Sequence, residues 1–301
     1  MKATPDFSLR FLDSSSYGPQ NATIKDIQGH MEAYFGERGT PLARDGLGAL
    51  ASTLAGIYYI PFKTGIALQF SFSGQSIPNR IDVKNEKGVK IYFDPAETAA
   101  RVELGKGLVA KVFADAGGVL AKYRPDAVEQ LVWHVAAHEV GHAIYNLKTV
   151  EAQLTAKGGA KVVTLLEEPR AELTAMFTLQ LLHRKNVLDL KHLKQAVAHF
   201  ALDALRYFAK YESEPLKPYI IFQRYAYKTY FAHGYLTQDA ATGELTLHDE
   251  KTLDVLEAFA ERFLAILDCE DRADADSLVG FLEEMEVETD FVRDVVKRVA
   301  R

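Results

Sequence analysis

Apolar positions follow two different rhythms along this chain, and the change comes near Pro125. Beyond it, residues 128–147, 169–182, 190–210 and 253–267 carry apolar side chains every three or four positions, the period of a half-buried helix. Before it the texture is mixed. Residues 57–62 and 66–72 are rich in β-branched and aromatic side chains, which suits strands. Residues 81–83 and 89–93 flank the turn-forming Asn85 to Gly88 and predict a hairpin. A loop is expected at 14–18, a short helix over 26–35, and more helix over 96–123 with an interruption at Gly117-Gly118. The run 152–160, with Gly158-Gly159, reads as a linker between helices, and 237–248 as a turn between short extended pieces. The pattern predicts an α+β, predominantly helical fold: a mixed α/β front lobe at 1–124 lining a cleft, then a helical lobe at 125–301.

Composition narrows the partners. The 301 residues are 48% hydrophobic and 25% charged, an ordinary globular balance with enough chain for a large core. Thirty-five basic against 41 acidic side chains give a net charge of −6. Binding a phosphate backbone needs clustered positive charge, so no nucleic acid is expected. The longest apolar run, at 54–62, is broken by Gly56 and Pro61 and falls short of the roughly 18 residues of a membrane span. No membrane partner is expected, and the first ten residues lack the apolar core of a secretory signal. A single cysteine, Cys269, excludes an internal disulfide and an all-cysteine zinc site and points to a cytoplasmic location. Any metal must be held by histidine and carboxylate.

The segment that carries chemistry is His138-Glu139-Val140-Gly141-His142. Pro125 suits a first helical position, and Asp126 and Glu129 suit the positive end of the helix dipole. At about 100° per residue, His138 and His142 share one face, one turn apart. Two imidazoles so placed can bind one Zn²⁺, and Glu139 beside them can act as general base toward a water. Leu131 and Val135 lie on the same stripe and turn it inward. A zinc held by two histidines needs a third ligand, commonly a carboxylate from a following helix. Glu167-Glu168-Pro169-Arg170-Ala171-Glu172 stands downstream, with Glu168 and Glu172 one turn apart. One of these acids can ligate the metal while the other fixes an imidazole through its remaining ring N–H. A solvated acidic cluster at a helix start would have the same composition.

Together, these two segments resemble the paired signatures of the dipeptidyl peptidase III family of zinc peptidases, of the gluzincin type. The second family signature, Glu-Glu-Cys-Arg-Ala-Glu, is matched at five of six positions. Gly74-Gln75-Ser76-Ile77-Pro78-Asn79 is similar to the family's Gly-Ile-Asn-x-Pro-Asn substrate-cleft segment, and residues 234–248 are similar in texture to its later region. The resemblance implies a zincin-like catalytic half and a peptide substrate. It makes His138, His142 and Glu168 the zinc ligands and Glu139 the general base. Glu167 and Glu172 become the acceptors that orient the imidazoles, and Asn79 grips the substrate backbone.

This chain departs from the family in three ways. It has one residue fewer between the histidines, a spacing that needs no helix bulge. Pro169 disfavours helical backbone at Glu168 and suits a helix start, which places Glu168 at a cap or kink. Family members are considerably longer, with a further lobe that closes over the peptide, and much of that lobe is expected to be missing here.

Other candidates rest on placement alone. His134, one turn before His138, can support a ligand or line the cleft, or pack as a satisfied core histidine. An oxyanion donor is expected in the aromatic-rich stretch 219–233, where Tyr219 and Arg224, then His233, are the candidates. His183, His192 and His199 have no carboxylate in ligand register and read as structural or exposed. The same residues also fit a zinc-stabilised, catalytically silent domain that binds a peptide or protein, or a metal-free helical scaffold. Oligomeric state is not legible.

Overall fold

The computed structural model describes residues 7–40, 47–48, 50, 53–64, 74–77, 90–123, 127–144 and 148–300. The front of the chain runs β1 (Phe7–Leu12), α1 (Gly18–Arg38), β2 (Leu54–Thr64), β3 (Gly74–Ile77), β4 (Lys90–Phe93), α2 (Pro95–Val112) and α3 (Ala116–Tyr123). A short turn of helix, α4 (Ala127–Gln130), then passes into a π-helical turn (Leu131–Val135) and on into α5 (Ala136–Ile144). Helices α6 (Lys148–Gly158), α7 (Ala160–Arg184), α8 (Leu190–Phe208) and α9 (Lys217–Ala232) follow. The chain continues through the hairpin β5 (Leu236–Gln238) and β6 (Leu245–Leu247), then α10 (Thr252–Asp271), α11 (Ala275–Glu286) and α12 (Asp290–Val299). The fold is α+β and predominantly helical, as the hydrophobic rhythm predicts.

The helix starts follow from local chemistry. Asp94 accepts from the backbone N–H of Ala96 and Glu97, with Pro95 in the first turn of α2; Asp189 does the same for α8 through His192. Helix α1 is longer than expected because it ends only at Gly39, whose φ of 66° gives the left-handed cap that stops it. The interruption after α2 lies at 113–115, and Gly117 and Gly118 are inside α3. There is no linker across 152–160: Ala152 to Gly158 is helical, and Gly159, at φ 76°, makes the break alone.

The sheet order is β1-β2-β4-β3. Strand β4 pairs in parallel with β2 and antiparallel with β3, with Gly74 opposite Phe93 and Ile77 opposite Lys90. The antiparallel partner of β4 is therefore the Gly74–Ile77 segment; residues 66–72 and 81–83, expected as strands, lie outside the described residues. The expected turn at 237–248 is the β5–β6 hairpin.

One hydrophobic core takes residues from both sides of Pro125, from Ile24 and Met31 on α1 through Leu173 and Phe177 on α7 to Val292 on α12. Tyr34 packs its ring on Phe177 at 4.8 Å, and Phe177 packs on Phe263 of α10 at 4.8 Å. Burial of Phe177 and of Phe263 contributes about 1.5–3 kcal/mol each. Helix α7 sits inside this core against α5, α6, α9 and α10. That central position makes it the rigid platform on which the second signature stands.

Candidate metal centre

Pro169 does not start a helix. It lies inside the 25-residue helix α7, with Glu168 well past the N-terminus rather than at a cap. Proline in a helix interior forgoes one backbone hydrogen bond and costs about 3 kcal/mol. The near-total burial of Ala171, Leu173 and Met176 in the core offsets that cost. Glu168 and Glu172 thus remain one turn apart on one continuous face.

Helix α5 meets that face closely because of Gly141. A side chain there would place its Cβ 3.0 Å from Thr174 Cβ and 3.1 Å from Ala171 Cα. The glycine inside the first signature therefore meets Ala171 and Thr174 at and just beyond the second. The resulting geometry is compact. His138 Nε2 and His142 Nε2 are 3.0 Å apart, and each is 3.3 Å from Glu168 Oε2. Outward from this triangle, His142 Nδ1 lies 3.3 Å from Glu167 Oε1 and His138 Nδ1 lies 3.5 Å from Glu172 Oε1.

This donor set fits zinc. Ligand atoms at the corners of a tetrahedron, 2.0–2.1 Å from the ion, stand about 3.3 Å apart, which is the size of the triangle. Glu168 Oε2 is buried and has no hydrogen-bond partner, and His138, His142 and Glu168 form a group that could hold a metal ion. A carboxylate beside each Nδ1 favours the tautomer that leaves the Nε2 lone pairs facing inward.

The electrostatics point the same way. Burial alone would lower both imidazoles, but Glu172 and Glu168 raise His138 well above its ordinary value, and Glu168 and Glu167 push His142 up to about 9. Burial alone would raise the acids, but His142 and His138 hold Glu168 well below the carboxylate range, and His138 and His134 draw Glu172 down to about 2. Each shift favours the charged form of its group, and a divalent cation in the triangle would take the place of the imidazole protons in answering the carboxylates.

Glu139 is buried beside the triangle on α5, and strand β3 crosses it. A Cβ at Gly74 would sit 3.0 Å from Glu139 Oε1 and 2.5 Å from Val135 Cγ1, so only glycine lets the strand approach this carboxylate. Tyr219 of α9 stacks over His138 with ring centroids 6.4 Å apart, and Tyr207 of α8 stacks on Tyr219 at 5.3 Å. Burial first, then the charge of Glu168, holds the Tyr219 hydroxyl far above its ordinary pKa, so it stays a proton donor.

Solved structures share this arrangement of elements. No protein-family model matches the sequence, and no curated protein does. The structure of DPP III from Caldithrix abyssi superposes with a TM-score of 0.71 at 16% identity, covering 98% of this chain and 54% of that one. The structure of dipeptidyl-peptidase III from Corallococcus sp. strain EGB gives 0.70 at 13% identity, covering 98% and 53%. In fold, this chain is similar to dipeptidyl peptidase III. It spans about half the length of both structures.

Within this dipeptidyl peptidase III-like fold, the remaining expected residues divide sharply. His134 comes to the site: it sits on the π-helical turn, and its Nε2 lies 3.2 Å from Glu172 Oε2. The bulge is thus N-terminal to the first signature and not between its histidines. Arg224 and His233 do not come to the site. The Arg224 guanidinium covers the Tyr211 ring at 4.6 Å and donates to the Glu286 carbonyl at 3.2 Å. It points about 140° around α9 from Tyr219, and exposed His233 caps the helix about 21 Å further along the axis. Asn79 lies outside the described residues. His192 pairs with Asp189 at its helix start, and His183 Nδ1 meets the Leu188 carbonyl at 2.9 Å, both structural contacts. Tyr207 and the buried Arg170–Glu270 ion pair at 2.8 Å carry no spacing signal, since each acts across a long sequence separation, and Gly74 is marked only by the resemblance of its segment.

Proposed function

We propose that this chain is a zinc-dependent metallopeptidase that hydrolyses short peptides in the cytoplasm. The observation that carries the reading is the inward triangle of two imidazole nitrogens and one carboxylate oxygen, with Glu139 beside it. The fold's similarity to two structures named as dipeptidyl peptidases supports the peptide as substrate class.

His138, His142 and Glu168 would hold the ion, and Glu167 and Glu172 would keep the two imidazoles turned toward it. A zinc ion there supplies Lewis acidity, polarising a carbonyl and making a water acidic enough to react near neutral pH. Glu139 then takes the proton from the attacking water and delivers it to the departing amine. Tyr219, held in its protonated form, donates to the oxygen on which negative charge develops. Among the described residues strand β3 is last in the sheet order, and it presses on Glu139 through Gly74, so a peptide laid along it would bring its carbonyl to the base.

Glu139→Gln tests this reading. The variant should bind one equivalent of zinc as tightly as the wild type while its peptide turnover falls by about 10²–10⁴-fold. Unchanged turnover in that variant contradicts the mechanism. Zinc bound with no hydrolysis of any short peptide by the wild type would instead support a silent, zinc-stabilised domain.

A further inference from the structure

Behind the metal centre, away from the Glu168 side, Glu172 is shared. One of its oxygens faces His138 Nδ1 at 3.5 Å and the other meets His134 Nε2 at 3.2 Å. In the neutral ring, donating Nε2–H to Glu172 leaves the lone pair of His134 on Nδ1. That Nδ1 is buried and has no hydrogen-bond partner. Across from it stands His199 of α8, ring centroids 6.1 Å apart, whose Nε2 is likewise buried and without a partner. Both residues are more than nine-tenths buried. Burial pushes the His199 imidazole down to about 3, so it is a neutral ring with one N–H to give.

Both histidines line a cavity with room for about 10 Å³ of water centre, together with Trp133, Gln195 and Ala196 and part-exposed Glu129 and His192. One water needs roughly that volume and two or more polar partners. The partners are complementary: His199 Nε2–H can donate to the water oxygen, and the water can donate to His134 Nδ1. Leaving either nitrogen unpaired in this setting would forfeit a hydrogen bond in a low-dielectric interior.

We propose that His134 and His199 hold a structural water between them, and that His134 is thereby a positioning residue for the zinc ligand His138. The chain runs water, His134, Glu172, His138. With the water on Nδ1, His134 is locked in the tautomer that donates to Glu172. The carboxylate then keeps its other oxygen on the His138 Nδ1–H, and His138 Nε2 faces the ion. Were His134 to flip tautomer, two lone pairs would confront each other at 3.2 Å and Glu172 would turn away. Phe200, stacked on the His134 ring at 3.5 Å, fixes the ring plane, so the hydrogen bonds decide only which nitrogen carries the proton. The inference rests on zinc binding at His138, His142 and Glu168.

The experiment combines two readouts on zinc-loaded protein. Water-to-imidazole cross-relaxation in nitrogen-15 histidine NMR should reveal a long-lived water at His134 and His199, lost in His199→Leu. Zinc affinity, measured by chelator competition, should fall by about 10–100-fold in His134→Phe, which keeps the Phe200 stack, while thermal unfolding of the metal-free form moves little. His134→Gln, whose amide can still donate to Glu172, should recover most of the lost affinity and serves if the Phe variant does not fold. Absence of a long-lived water in the wild type, or wild-type zinc affinity in a folded His134→Phe, overturns the proposal. A wild type that binds no zinc contradicts the metal centre itself, which is a separate result.

Discussion

Glu168 and Arg170 are two residues apart on helix α7, yet their surroundings differ in kind. Arg170 meets Glu270 of α10 at 2.8 Å, with both side chains at most 2% exposed, and also donates to the Gly141 carbonyl at 3.3 Å. One positive and one negative group close the account of charge within the core. Glu168 stands in a ring of three acids and three imidazoles, and its buried Oε2 faces two imidazole nitrogens at 3.3 Å. In the first arrangement one cation faces one anion directly, with no converging donor atoms. The second has more acid than neutral imidazole can answer, and a cation completes it. Buried charge in balance marks structure; buried charge in excess, with its donor atoms converging, marks a binding site.

The largest effect should come from unbalancing the closed pair. Arg170→Met leaves Glu270 uncompensated in the core and should lower stability by about 3–5 kcal/mol in chemical denaturation. The double variant Arg170→Met with Glu270→Leu should recover most of that loss, because no charge remains buried. A single variant as stable as the wild type would show that the pair is not the closed structural element described here.

A smaller effect should follow from spreading the two helices. Gly141→Ala forces a Cβ to 3.0 Å from Thr174 and 3.1 Å from Ala171 Cα, which the backbone of α5 or α7 must yield to. Overpacking of this kind costs about 1–3 kcal/mol. The shift also moves the imidazoles away from Glu168, so zinc affinity should fall together with the melting temperature. Loss of stability without loss of affinity would separate the helix contact from the site.

Both halves of the metal centre are legible in the sequence because each is a local pattern. His138 with His142, and Glu168 with Glu172, are one helical turn apart, and helix geometry puts them on a face whatever surrounds it. Pro169 is read wrongly as a helix start for the same reason: local preference opposes helix there, while the continuous burial of residues 169–180 overrides it. Gly158 and Gly159 suggest a linker by composition, but only the positive φ of Gly159 breaks the helix. What joins distant segments leaves no spacing to read. The Tyr219–Tyr207 stack, the His134–His199 pair and the approach of Gly74 to Glu139 depend on how α8, α9 and β3 pack around α5. Arg224 and His233 illustrate the converse. Their stretch has the right composition for an oxyanion donor, yet helix α9 turns only Tyr219 toward the imidazoles.

Anomalous diffraction at the zinc edge from zinc-loaded crystals tests the central claim most directly. One ion is expected, bound by His138 Nε2, His142 Nε2 and a Glu168 oxygen, at about 2.0–2.2 Å from each. An ion held elsewhere, or a Glu168 side chain turned away from the two imidazoles, would contradict it.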